Sequence, residues 1–153
     1  MIAYLSGPIE NAANDGADWR ELITLWLKDE IEHDVFNPVL ATRKIISDLT
    51  NSQFREMKET SPKKYKNLIR QIIDIDIKAV VEESDYLIVN WNKSVFKGGG
   101  THGEITLAYY LKKPIYLINQ VPLDDLSSWI FSCATDVFDS FDDMKIHLLS
   151  TYK

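Results

Sequence analysis

The stretch DYLIVNWNKSVFKGGGTHGEITLAYYLKKPIYLIN, residues 85–119, begins and ends on a nearly continuous apolar run. Runs of that length suit strands buried on both faces, the habit of parallel sheets. Between them lie a glycine-rich loop and a segment of good helix formers closed by Lys112, Lys113 and Pro114. Proline cannot continue a helix, so the segment stops there. Strand, loop, helix and strand in this order make a βαβ unit.

The same alternation extends in both directions. IAYLS (2–6) reads as a short buried strand and GPIENAANDG (7–16) as the loop after it. Asp15 is placed to cap a helix running to about Glu32, with Trp19, Leu22, Ile23, Trp26 and Leu27 on one face. DVFNP (34–38) is a second, shorter strand. Residues 39–60 are polar and irregular, with one helix expected around Gln53–Lys58. Ser61 and Pro62 then open a long helix reaching about Glu83, since a serine cap followed by proline is a start signal. After residue 119 a short helix from about Leu123, a weak strand near CATDVF (133–138) and a helix from SFDDM (140–144) complete the chain. The pattern predicts an α/β fold with a mainly parallel sheet, in which ligands bind beyond the carboxyl ends of the strands. The loops after Ser6, Asn90 and Asn119 are therefore the places to look for function.

Length and charge narrow the classes. With 153 residues the chain fits a single domain, 1–153, with a sizeable core. A formal charge of −6 argues against a nucleic-acid polymer as partner. The local basic run KKYKNLIR (63–70) reads as a solvated helix face. Cys133 is the single cysteine, which excludes an intrachain disulfide and suits a reducing compartment. No basic leader and no 18-residue apolar run is present, so no membrane association and a cytoplasmic location are expected. His33, His147 and Cys133 show no ligand spacing, and neither a metal nor an organic cofactor is expected.

Glu104 admits three readings. Thr101-His102-Gly103-Glu104 fits a capping box. Gly98, Gly100 and Gly103 also spell the dinucleotide fingerprint, although residues 91–97 separate them from the strand and no acidic residue ends the next strand. Finally, a glycine-rich loop lets a substrate approach the backbone, so Glu104 could be a catalytic carboxylate. Such a site usually holds a second carboxyl. On the long helix, 100° per residue lines up Tyr65, Ile69, Ile72, Ile73 and Val80, and Asp76 falls within that stripe while Asp74 points outward. A carboxyl facing a core needs a partner or a task; the alternative is that Asp76 lies beyond the packed part and reaches solvent or caps a neighbouring loop.

IAYLSGPI (2–9), DIDIKAVVEESDYLIVNW (74–91) and GGGTHGEITLAYYLKKPIYLI (98–118) resemble the nucleoside 2-deoxyribosyltransferase family, which includes the 2′-deoxynucleoside 5′-phosphate N-hydrolases. The most specific piece is the Gly-Thr-x-x-Glu run followed by a helix and KPIYL; residues 40–60 carry none of the likeness. The resemblance implies a flavodoxin-like three-layer fold with a five-stranded, mainly parallel sheet. It implies Glu104 as nucleophile, Asp76 as acid near the leaving base, with Asp74 the weaker candidate, and Tyr4 as the group orienting Glu104. Gly7, Pro8, Asn92 and Gly100 are the expected substrate contacts, with Ser127 supplied by a neighbouring subunit of a homodimer or higher homo-oligomer. The implied substrate is a small deoxynucleoside or deoxynucleotide. Its N-glycosidic bond would be cleaved through a deoxyribosyl-glutamate and the sugar passed to another base. Hydrolysis of the same bond, and a non-catalytic nucleotide-binding module, are the alternatives. The first-loop arginine of the hydrolases and the aspartate that transferases carry before Gly-Thr are both missing.

Overall fold

Five parallel strands form one sheet in a computed structural model that describes residues 1–153: β1 (Ile2–Ser6), β2 (Asp34–Phe36), β3 (Tyr86–Trp91), β4 (Ile115–Asn119) and β5 (Asp136–Phe138). Their order is β2-β1-β3-β4-β5, every neighbouring pair parallel. From β1 the chain runs outward to β2, then returns to place β3 on the other side. The strand order therefore reverses between β1 and β3, where an open α/β sheet leaves a crevice.

Side-chain alternation divides the sheet into two faces. Ala3, Leu5, Tyr86, Ile88, Tyr116 and Ile118 pack against α1 (Ala17–Ile31) and α7 (Phe141–Tyr152). Tyr4, Leu87, Val89, Trp91, Ile115 and Leu117 pack the other way, against α5 (Gly100–Tyr110), α6 (Ser128–Cys133) and Ala79 and Val80. Every residue of β3 is buried, as a central strand covered by helices on both sides requires. The result is the expected flavodoxin-like three-layer architecture.

Several local expectations are corrected. Asp15 does not cap α1: Asn14 and Asp15 have φ of 48° and 50°, and the cap is Gly16 at φ 68°. A Cβ on Gly16 would lie 2.5 Å from both the Arg20 guanidinium and the Pro8 carbonyl, so the tight turn admits only glycine. The buried stripe of α1 is Arg20, Ile23, Leu27 and Ile31, while Leu22 is exposed. Residues 39–60 hold more helix than expected, α2 (Pro38–Thr42) and α3 (Asn51–Thr60), and α3 starts with a complete Thr50–Gln53 capping box. The long helix α4 (Pro62–Lys78) has proline in its first turn, but the Ser61 side chain makes no cap bond. It ends in a π turn, Ala79–Glu83. The carbonyls of Val80, Val81 and Ser84, around that turn, accept hydrogen bonds from the Lys113 ammonium. The short helix expected from about Leu123 starts later, at Ser128 as α6, after a 3-10 turn at Leu123–Asp125. No helix is long and apolar enough to cross a membrane.

Candidate active site

On the α4/α5 face, at the carboxyl edge of the sheet, lies a cavity of about 1040 Å³. The first loop supplies one wall through Gly7 and Pro8, and the glycine-rich loop supplies another through Gly98–Gly100. The apolar stripe of α4 (Tyr65, Ile69, Ile72 and Ile73), continued by Val80 in the π turn, forms a third. Up to Ile73 that stripe does not bury itself in the core. Ile73 stays 44% exposed and no α4 residue is fully buried; the apolar surface instead lines a recess where a ligand would cover it.

Glu104 sits in the first turns of α5 and does not close a capping box. The cap of α5 is Gly99, with no side-chain bond, and Thr101 is buried within the turn. The carboxylate instead crosses to β1: Tyr4 Oη donates to Oε1 at 2.9 Å and Ser6 Oγ to Oε2 at 2.5 Å. Period-two geometry explains the pair, since residues 4 and 6 of a strand project to the same face. Stacking on Phe36 at 5.4 Å fixes the Tyr4 ring. Both carboxylate oxygens are thus held by hydroxyl donors, with the cavity in front of them.

The electrostatics follow from burial and these contacts. Burial pushes Glu104 above the usual carboxylate range, while the Ser6 and Tyr4 hydrogen bonds and the Arg20 charge pull it back. Burial and the neighbouring carboxylates raise the Tyr4 phenol well above its ordinary value, so it remains a donor at neutral pH. Asp76 lines the same cavity. Burial first, then the charge of Glu104, push it up to about 7 against the pull of Arg20. Its Oδ1 is buried without a hydrogen-bond partner. Asp74 is exposed and does not line the cavity.

Arg20 was not anticipated. It is completely buried, and its guanidinium donates to the carbonyls of Leu5 (3.2 Å), Gly16 (2.8 Å) and Gly7 (2.8 Å). It therefore ties both ends of the first loop to the strand segment that carries Tyr4 and Ser6. Burial lowers it to about 10, which leaves it charged at neutral pH beside two carboxyls. A charged residue on the Ile23–Leu27–Ile31 stripe was the available signal, and the wheel that isolated Asp76 would also have isolated Arg20.

The remaining expected contacts divide. Gly7, Pro8 and Gly100 line the cavity, but Asn92 does not; its Oδ1 accepts from the Ser94 amide at 2.9 Å, and the side chain borders a separate recess. Ser127, at the start of α6, also lies outside the cavity.

No family model matches the sequence, and no curated protein does. Among solved structures the chain is similar to the 2-desoxiribosyltransferase from Leishmania mexicana, with a TM-score of 0.59 at 16% identity, covering 99% of each chain. At that identity the likeness establishes a common α/β fold.

Proposed function

We propose that the protein cleaves the N-glycosidic bond of 2′-deoxynucleosides or their 5′-monophosphates and transfers the deoxyribosyl group to another base. One arrangement carries this reading: a carboxylate gripped by Tyr4 and Ser6 opens onto a cavity that also holds a second carboxyl, Asp76, raised to about 7. The likeness of the whole chain to a solved deoxyribosyltransferase supports it.

The chemistry runs in two halves. The C1′–N bond breaks with its electron pair going to the base, and the Asp76 carboxyl delivers a proton there. Positive charge develops at C1′, where Glu104 stabilises it and then bonds to carbon, forming a glycosyl ester. In the second half a ring nitrogen of the incoming base attacks C1′, the C1′–O bond breaks, and the nitrogen's proton passes to the Asp76 carboxylate. Both carboxyls return to their starting states. Apolar α4 walls restrict water, which favours a base over water as acceptor.

Assembly completes the proposal. Trp129 is 65% and Phe131 49% exposed on α6, next to Ser127, and a patch of this kind suits a self-complementary contact. A second copy would then bring Ser127 to the cavity. Trp129→Glu should lower both mass in sedimentation and activity; a fully active monomer excludes the shared site.

Incubation with a panel of deoxynucleosides and deoxynucleotides, with and without a free acceptor base, tests the reaction. A new deoxynucleoside formed only with acceptor is the expected product. Free sugar formed regardless of acceptor would mark the hydrolytic alternative, and an inert panel would exclude both.

A further inference from the structure

A second recess, about 490 Å³, opens at the same sheet edge on the opposite, α1 face. Asn90 continues the row Tyr86–Ile88 on β3, so its side chain points toward the start of α1. It is only 5% exposed, and its Oδ1 has no hydrogen-bond partner. Trp19, in the first turns of α1, lines the recess, and its buried indole Nε1 is also unpaired. Gly7 separates the two recesses. A Cβ there would lie 3.1 Å from the Trp19 ring and 3.2 Å from the Asn90 carbonyl, so only a bare backbone passes between them. Pro8 and Ser94 border both recesses.

The lining indicates the ligand's chemistry. Asp18 and Lys93 offset each other, leaving no net charge to select an anion or a cation. Asn90, Asn92 and Gln120 contribute three carboxamides, and Trp19 contributes an N–H donor. The Asn92 oxygen is already used by Ser94, which leaves its amide nitrogen to donate. A carboxamide pairs two-fold with a planar ring that carries a donor and an acceptor side by side.

We infer that this recess is a second binding site, for a free nucleobase, held through its donor–acceptor edge by the Asn90 carboxamide and the Trp19 indole N–H. The assignment of a base, rather than another neutral amide-bearing ring, rests on the glycosidic reading of the larger cavity. A base released on one side of Gly7 and Pro8 would have a place to dwell on the other, and an acceptor a place to wait.

Calorimetric titration of the full chain with adenine, hypoxanthine and thymine tests the site. Asn90→Leu keeps the branched shape and heavy-atom count and removes the unpaired amide, so the fold should persist in a melting curve while base affinity falls at least about tenfold. Trp19→Phe, which keeps an aromatic ring and removes only the donor, should weaken binding several-fold, roughly. Glu104→Gln should retain the Asn90-dependent binding. Base affinity indifferent to Asn90→Leu, or no binding of any free base, overturns the site. A protein that binds bases through Asn90 yet turns over no deoxynucleoside keeps this site and loses the glycosidic reading. One that turns over deoxynucleosides with base binding unchanged in Asn90→Leu does the reverse.

Discussion

The two edges of the sheet differ in the buried polar groups they leave unpaired. At the amino edge they are paired: His33 Nδ1 with Tyr86 Oη at 3.0 Å and, half-buried, Tyr116 with Tyr152 at 2.9 Å. Facing the carboxyl edge, Asp76 Oδ1, Asn90 Oδ1 and Trp19 Nε1 are buried without partners. Leaving such groups unpaired costs stability. On the proposed reading these unpaired groups are left for a ligand. On that reading the carboxyl edge serves function and the amino edge stability, so substitutions at the two edges should have different consequences.

The largest effect is expected at Glu104. Glu104→Gln keeps the size, and its amide can accept from one of the two hydroxyls and donate to the other, but it removes the nucleophile, so turnover should fall by on the order of 10³-fold or more with the fold intact. Near-normal turnover on a confirmed substrate would reduce Glu104 to a structural group.

Asp76 comes next. Asp76→Asn removes the proton donor and should lower kcat by about 10²-fold or more. In the wild type, bond cleavage should decline as pH rises through about 7, where Asp76 loses its proton. The apparent value belongs to the Asp76–Glu104 pair jointly. Stability should show the same group. Its folded value, about 7, lies above the ordinary 3.8, so below pH 3.8 the proton is bound in both states and the contribution is complete. As pH rises toward 7 the unfolded chain releases that proton first and the contribution is lost. Asp76→Asn should flatten this decline in denaturant titrations between pH 4 and 7, and an unchanged slope would place Asp76 in ordinary solvent.

Much of this edge was legible in the sequence, and what was missed has physical causes. Glu104 and Asp76 line one cavity, Tyr4 holds Glu104 from behind it, and the helical wheel separated Asp76 from Asp74. Ser6 was passed over because a serine ending a strand looks like a turn residue until period two places it beside Tyr4. The capping-box pattern occurs twice. It closes at Thr50–Gln53, in a solvated segment where nothing competes, and not at Thr101–Glu104, where two hydroxyls on β1 do. Local sequence encodes the capacity to cap, and tertiary contacts decide its use. Asp15 illustrates the same limit, since the turn at Gly16 is set by the distant Pro8 carbonyl and Arg20.

A smaller effect is expected from the groups that hold Glu104. Ser6→Ala removes one donor to a buried carboxylate, worth about 1.5–3 kcal/mol for a charged partner, or roughly 10- to 100-fold in kcat. Tyr4→Phe should behave alike, and either substitution should also raise the pH at which Glu104 ionises, because the bonds now lowering that value would be gone. The acidic limb of the rate profile reports this. A limb that does not move would mean that the hydroxyls hold the strand and not the carboxylate.

The smallest effect on activity belongs to the amino edge, where the comparison is most exposed to failure. Tyr86 is fully buried, and its hydroxyl meets His33, which is 7% exposed. Tyr86→Phe keeps the ring against Tyr116 and Tyr152 but strands the His33 nitrogen. The loss should be about 1–2 kcal/mol, or roughly 2–6 °C in melting temperature for a chain of this size. Tyr86 and the cavity lie on opposite faces and at opposite edges of the sheet, so kcat/KM should stay within about twofold. Melting curves and initial rates on the same preparation decide the matter. If Tyr86→Phe lowered the rate as much as Ser6→Ala while leaving the melting temperature unchanged, the two edges would not be separate, and the paired cluster would belong to the working part of the molecule.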